Sequence, residues 1–137
     1  MTAKEYLQQA FLIDRRIKAK ERQLDSLKAH AVYTTPQFGE VVVSTSAYAK
    51  SALEESAVKI MELESYIASQ IDELTKMRRN IADVIQAINN PEYETILEMR
   101  YLSFMSWDEI AARMDYCKRY IFKVHGRALE MIRVPDV

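Results

Sequence analysis

The sequence is poor in the residues that reverse the direction of a chain. Its 137 residues include only 2 glycines and 3 prolines, whereas average usage would give about 10 and about 7 in a chain of this length. A sheet protein must turn roughly every 10 residues and therefore needs many such residues. Few turns mean few, long elements, so the composition favours an all-α fold.

The sequence also lacks the residues from which most catalytic and metal sites are built. Cys117 is the single cysteine, and His30 and His125 are the only histidines, so neither an internal disulfide nor a zinc-binding spacing is available. The glycine and histidine motifs of nucleotide-binding loops, metalloproteases and serine hydrolases are absent. We therefore expect no enzyme activity, no cofactor and no metal ion.

Long apolar runs are missing as well. The longest stretch without a charged residue, Ala29 to Gly39, contains eleven residues, and a bilayer crossing needs about 20. Near the N-terminus, Lys4, Asp14 and Arg15 interrupt the apolar stretch that a secretory signal requires. The sequence predicts a cytoplasmic protein without a membrane contact.

Charge is distributed unevenly in a chain whose formal net charge is −1. From Cys117 to Arg133 there are five basic residues and one acidic residue, Glu130, whereas most acidic residues of the C-terminal third precede Tyr116. A basic helix inside a neutral protein points to a directed contact with an anionic partner.

Two long amphipathic helices are indicated by apolar residues spaced alternately four and three apart. The first spans about residues 4–29. The second runs to about residue 89, and its register is interrupted only by Glu64 and Arg78. We expect these two charged residues to form pairs with residues of the other helix, or to lie where the contact between the two apolar stripes is open to solvent.

Neither helix can bury its apolar stripe alone, so an antiparallel helical hairpin, a coiled-coil-like arm over residues 1–89, is the simplest fold. The surplus apolar length of the second helix would then pack on a second copy, with a dimer favoured, or on the C-terminal unit. The helical period breaks near residues 32–46, which we interpret as an irregular connection.

The second domain is predicted to span residues 90–137. Asn90 and Pro91 supply an N-cap and a first helical residue, and they mark the boundary. Three short helices follow, at about residues 91–102, 107–114 and 118–132. In the third, the inward positions are Ile121, Val124, Ala128, Leu129 and Ile132.

That spacing turns five residues of the third helix outward: Lys118, Arg119, Phe122, Lys123 and Arg127. Three short helices with a tight break before the last are typical of a helix-turn-helix unit, whose last helix enters the major groove of DNA.

The residues of this segment carry a family resemblance. The runs Leu97–Tyr101, Ser106–Ala111 and Arg127–Leu129, together with Ile121, resemble the C-terminal helix-turn-helix of bacterial sigma factors, which reads the −35 promoter element. With the helical arm ahead of it, the chain looks like the small phage proteins of the ArpU and RinA type, which are regarded as late-gene transcription regulators.

The resemblance implies a sequence-specific DNA-binding regulator of phage or prophage genes. Lys118, Arg119 and Lys123 would face the groove, with Arg119 best shaped for a two-bond contact to guanine. Arg127 and Arg100 would contact phosphates, and Phe122 a thymine methyl group. One departure stands out, since the residues Asp115 to Cys117 replace the usual glycine and serine cap in the turn.

Two other functions stay open on the sequence alone. The sigma-like unit could bind RNA polymerase itself. The polymerase would then contact the acidic stretch around Glu92, Glu94 and Glu98. Alternatively, the protein could be a phage packaging factor of the small-terminase type or an assembly factor, in which helix-turn-helix units and coiled coils also combine. Binding to DNA should weaken steeply as the salt concentration rises, whereas an apolar contact with RNA polymerase should not. A ring-shaped oligomer would favour the packaging factor.

Overall fold

The protein is built from helices. The computed structural model describes residues 1–34 and 43–135, and within these ranges it contains no strand. The helices are α1 (Ala3–Thr34), α2 (Val43–Gln86), α3 (Pro91–Tyr101), α4 (Trp107–Met114) and α5 (Lys118–Met131). The predicted all-α fold is confirmed. In the described ranges, no helix combines the length and the apolar character that a bilayer crossing requires.

The two long helices extend further than the sequence predicted. α1 continues to Thr34 and α2 begins at Val43, so both ends of the segment 32–46 are helical rather than irregular. Adding residues to an existing helix costs much less than starting one, and this outweighs the weak helix propensity of the β-branched residues there. The remainder of the predicted connection, residues 35–42, lies outside the described residues.

The chain divides into two compact units. The hairpin unit is Arg15–Asp72, and the five-helix unit consists of Met1–Asp14 and Glu73–Val137. The first turns of α1 and the last turns of α2 therefore belong to the same unit as α3, α4 and α5. Asn90, where the sequence predicts a domain boundary, lies inside the five-helix unit.

In the hairpin unit, α1 and α2 run antiparallel. Nη1 of Arg16 donates a hydrogen bond to Oε1 of Gln70 at 3.2 Å, and further along the pair Lys28 meets Glu64 at 3.4 Å. Glu64, one of the two charges that interrupt the apolar stripe, thus pairs across helices as expected. Ile17 and Ile67 are among the buried residues of this unit.

The five-helix unit has a core in which the three short helices meet. Ile96 of α3, Ile110 of α4, and Ile121 and Val124 of α5 form one buried cluster. Each of these side chains is at most 2% exposed, and burying an aliphatic side chain contributes about 2 kcal/mol. Other side chains of the unit are also fully buried: Leu7, Ala10, Ile81, Ile85, Leu97 and Ala128.

The loop between α3 and α4 is held by contacts with both long helices. The ring of Phe104 packs edge-on against Phe11 of α1, with 5.6 Å between the ring centres. Arg78 of α2 lies over the same ring at 5.3 Å and donates a hydrogen bond to the carbonyl oxygen of Leu102. Arg78 interrupts the apolar stripe because it binds the C-terminal end of α3.

Helix caps explain why the short helices begin where the sequence predicts. The side-chain oxygen of Asn90 accepts hydrogen bonds from the N–H groups of Glu92 and Tyr93 at 3.1 and 3.3 Å. The hydroxyl of Ser106 accepts one from the N–H of Glu109 at 3.2 Å. Both are standard N-cap interactions.

The turn between α4 and α5 is less well satisfied. Asp115 ends α4 in the left-handed conformation, with φ 60° and ψ 35°, which is the conformation that glycine adopts at lower cost. Cys117 stands at the N-cap of α5 with extended backbone, φ −73° and ψ 154°, but its side chain makes no capping hydrogen bond. Cysteine is a poor N-cap residue, and here it leaves the first turn of α5 without a side-chain cap.

Replacing Cys117 with serine should raise the free energy of unfolding by about 1 kcal/mol. Cys117 already has the backbone conformation of an N-cap, so a hydroxyl there could accept a hydrogen bond from the first turn of α5. Urea unfolding of the wild type and Cys117→Ser measures the gain, and Cys117→Ala, which offers no acceptor, is the control. A serine variant that is no more stable than the alanine variant would contradict the prediction.

Candidate nucleic-acid interface

The rotation of α5 about its axis is set by its buried side. Ile121 and Ala128 are completely buried and Val124 is 2% exposed. Ile132, just past the end of the helix, is also buried, whereas Leu129 is only partly so. The inward positions predicted from the sequence are therefore confirmed, with Leu129 at the edge of the core.

The opposite side of α5 carries the residues that the sequence predicted to face outward. Lys118, Arg119, Phe122, Lys123 and Arg127 are all exposed. Arg119 and Lys123 are four residues apart, so they lie one turn above each other on the same face. We call the exposed side of α5 the basic face, defined by these five residues.

Lys118 forms the one ion pair that is resolved on the basic face among the described residues. Its Nζ lies 2.9 Å from Oδ1 of Asp108 in α4, and both side chains are at least half exposed. Exposed ion pairs contribute little, about 0–1 kcal/mol. Lys118 can therefore exchange Asp108 for a phosphate group at small cost.

Phe122 is both packed against α4 and partly exposed. Its ring packs edge-on against Trp107 of α4, with 5.3 Å between the ring centres, yet 46% of the residue remains exposed. The contact with Trp107 fixes the direction of the ring. The exposed part is an apolar surface, the kind of surface that can contact a thymine methyl group.

Arg100 differs from the other residues predicted to contact DNA. It is only partly exposed, its guanidinium lies over the ring of Trp107 at 4.4 Å, and Nη1 donates a hydrogen bond to the carbonyl oxygen of Met105 at 2.9 Å. These contacts join α3 to the start of α4. Arg100 thus positions the start of α4, and its contact with a phosphate group stays a prediction.

Sequence reasoning missed two exposed tyrosines beside the basic face. Tyr116 and Tyr120 are 41% and 38% exposed, and their rings pack edge-on at 4.7 Å. Tyr120, Lys123 and Arg127 follow a spacing of three and four residues, which places these three along one side of α5, and Tyr116 lies in the turn just before the helix. This spacing was the available signal, and aromatic residues interleaved with basic ones are frequent in nucleic-acid interfaces.

Acidic residues border the basic face. The hydroxyl of Tyr120 donates a hydrogen bond to Oε1 of Glu92 in α3 at 3.2 Å, and the negative charge of Glu92 raises the pKa of Tyr120. Glu130 lies near the C-terminal end of α5. A polyanion would be repelled at both places, so the electrostatics favour contact along the first turns of α5.

Comparison with known proteins identifies the family but not an activity. The family model described as a protein of unknown function, DUF1492, matches residues 32–132, which is more than half of the chain. The chain belongs to the DUF1492 family. No curated protein and no solved structure matches it. In this DUF1492 chain the matched span covers all of α2, α3, α4 and α5, the helices that build and support the basic face.

Behind the basic face, the DUF1492 chain holds a buried histidine in an aromatic stack. Nε2 of His125 and the hydroxyl of Tyr101 are joined by a hydrogen bond of 2.7 Å, and the Trp107 ring packs edge-on against His125 at 4.6 Å. Burial lowers the pKa of His125 to about 4, and the charges of Lys4 and Arg100 add to the shift. Burial also raises the pKa of Tyr101 to about 12.

His125 is therefore a neutral structural residue at neutral pH. It links α5 to α3 through Tyr101 and to α4 through Trp107. Among the described residues, no group of three His, Cys, Asp or Glu side chains could hold a metal ion.

The stability of the protein should fall as the pH decreases from about 6.5 to about 4. The unfolded chain binds a proton on His125 near pH 6.5, whereas the folded chain does so only near pH 4, so protonation favours unfolding in that window. The loss from this residue should be on the order of 3 kcal/mol.

Urea unfolding between pH 7.5 and 4.5 measures the effect, and His125→Phe should flatten the fall. Tyr101→Phe should keep it, because burial is the main cause of the pKa shift of His125. His30→Gln removes an exposed histidine and is the control. An unchanged pH dependence in His125→Phe would show that other groups carry it.

Proposed function

We propose that this DUF1492 protein is a sequence-specific regulator of transcription that binds double-stranded DNA, with α5 in the major groove. The observation that carries the proposal is the rotation of α5, which buries Ile121 and Val124 and turns the basic face to solvent. A three-residue turn separates α4 from α5, as in helix-turn-helix units, whose second helix places its first residues against base edges.

The roles of individual residues follow from their shape and position. Arg119 is in the first turn of α5 and presents a planar guanidinium suited to the O6 and N7 atoms of guanine. Lys118 and Lys123 would contact groove edges, and Phe122 a thymine methyl group. Arg127 would contact a phosphate group and so position the helix without reading sequence.

The two tyrosines extend the proposed contact surface. Tyr116 and Tyr120 are exposed and pack against each other, and their hydroxyl groups could donate hydrogen bonds to phosphate oxygens. The hydroxyl of Tyr120 would have to leave Glu92, which it contacts at 3.2 Å on the surface. A negatively charged DNA backbone near Glu92 is unfavourable, so this side marks the edge of the site.

The resemblance to the sigma-factor unit supports the choice of DNA as the partner, and the likeness to ArpU and RinA proteins supports phage or prophage late genes as the target. Such a regulator would act in the cytoplasm. The net charge limits the affinity for DNA. A chain with a formal charge of −1 has weak nonspecific attraction to DNA away from its basic face.

We further propose that the protein binds DNA as a homodimer held by α2. In the hairpin unit, Val58, Met61 and Ile71 are 52%, 69% and 46% exposed. Charges of both signs lie around them, such as Glu55 and Lys59, which pair at 3.8 Å. An antiparallel second copy would meet complementary charges and cover the apolar side chains, and two α5 helices would double the phosphate contacts.

Binding to RNA polymerase is the second candidate. Glu92, Glu94 and Glu98 all lie on α3, a helix that the basic face does not include. Carboxylates on this helix could bind a basic patch on a protein, and they would do so without DNA. A packaging or assembly role of the small-terminase type would instead require a ring of more than two copies.

Arg119→Ala and Lys123→Ala should each weaken specific DNA binding by about 10-fold to 100-fold, since a good base contact is worth about 1–3 kcal/mol. Arg127→Ala should weaken binding to all DNA sequences about equally. It should also reduce, by about 1, the magnitude of the slope of the logarithm of the binding constant against the logarithm of the salt concentration. The measurement is fluorescence anisotropy across a salt titration, with a duplex enriched from a randomised double-stranded library by repeated binding to the wild type.

The matched control is Arg22→Ala, which removes an exposed arginine from α1 in the hairpin unit and should bind DNA as the wild type does. The proposal would be contradicted if no duplex is enriched from the library. It would also be contradicted if the Arg119 and Lys123 variants bind the enriched duplex as tightly as the wild type does. Capture of purified RNA polymerase at moderate salt in the absence of DNA would then favour the second candidate.

Met61→Lys should convert the dimer into a monomer, because a charge on the exposed apolar side of α2 could not be buried against a second copy. Sedimentation equilibrium without DNA measures the mass. Glu62→Lys, which places the same charge at the neighbouring exposed residue, is the control and should remain dimeric. A monomeric wild type would contradict the dimer, and a ring of several copies would favour the packaging role.

A further inference from the structure

Gly126 occupies an unusual place on the basic side of α5. It lies inside the helix, which spans Lys118–Met131, and it is exposed. It follows Arg119 by seven residues and Lys123 by three, so the three residues share one side of the helix. On that side, the surface formed by Arg119 and Lys123 is followed by a position with no side chain at all.

The fold itself gives no reason for glycine at this position. The backbone of Gly126 does not have the positive φ that favours glycine. Apart from its two chain neighbours and the adjacent backbone of α5, a Cβ atom added there would come within 4 Å of no atom in the part of the chain that the structure describes. Glycine in an exposed helix interior is less favourable than alanine, so this residue weakens α5 without helping the packing.

We propose that Gly126 is the point where the sugar–phosphate backbone of DNA approaches α5 most closely. The inference rests on the proposed function and names a further positioning residue of the same site. Without a Cβ atom, the helix leaves room for a strand to lie against its backbone, while Lys123 and Arg119 contact the groove one and two turns earlier. Glu130, four residues later, would repel a phosphate and so limits the contact to the turns before it.

A side chain at Gly126 would then push the helix away from the strand. The displacement would lengthen the contacts of Lys123 and Arg127 to phosphate groups, and hydrogen bonds weaken steeply with distance and angle. The added side chain should therefore reduce affinity although it stabilises the free protein, a combination that loss of folding cannot produce.

The test uses the full chain with Gly126→Ala and Gly126→Leu. Thermal unfolding should show Gly126→Ala melting about 4 °C higher than the wild type, the shift expected for exchanging a helical glycine for alanine in a chain of this size. Asn80→Ala, at an exposed position of α2, also raises helix propensity and is the stability control. Affinity for the library-enriched duplex is measured by anisotropy for all four proteins.

We expect Gly126→Ala to bind the duplex at least 10-fold more weakly than the wild type and Gly126→Leu more weakly still, with Asn80→Ala unchanged; a 10-fold loss corresponds to about 1.4 kcal/mol. Wild-type affinity in both Gly126 variants would overturn this inference and leave the proposed function intact. A wild type that ignores the duplex would contradict the proposed function and this inference with it. Loss of dimerisation in the Gly126 variants, measured without DNA, would also overturn the inference. It would show that a second copy of the chain, and not DNA, lies against α5 at Gly126.

Discussion

The burial of Ile121, Val124 and Ala128 is the constraint on which the rest of the structure depends. These residues recur at three- and four-residue spacing, and their exclusion from water leaves α5 only one rotation about its axis. Once that rotation is set, Arg119 and Lys123 must face solvent. The charge of the surface is thus a consequence of the apolar core behind it.

The same core explains why several polar residues of the unit are structural. Arg100 stacks over Trp107, and Trp107 packs against His125, which in turn is hydrogen-bonded to Tyr101. This chain of contacts runs from α3 through α4 to α5 and holds the three helices at fixed positions. Phe122 also packs on Trp107. The Trp107 ring therefore holds the aromatic stack together and also sets the direction in which Phe122 would contact DNA in the proposed function.

Sequence reasoning predicted the features that local chemistry decides. Asn90 and Ser106 place the starts of α3 and α4, and the periodic apolar residues place the buried side of α5. It could not predict the division of the chain into units, because the apolar stripe of α2 looks the same on both sides of Asp72. Nor could it predict the contacts of Arg100 with Trp107 and Met105, because an arginine over a tryptophan and an arginine in solvent have the same local sequence. The spacing of Tyr120 from Lys123 and Arg127 is visible in the sequence, whereas its contact with Tyr116 depends on the turn before α5.

The central claim is that the basic face of α5 contacts double-stranded DNA, and the most direct measurement is an NMR titration. Backbone amide shifts of the isotope-labelled full chain are recorded as the library-enriched duplex is added. The account predicts the largest changes at Arg119, Lys123, Gly126 and Arg127, with the hairpin unit nearly unchanged. Changes centred on Glu92 and Glu94 of α3, or no changes at saturating duplex, would contradict it.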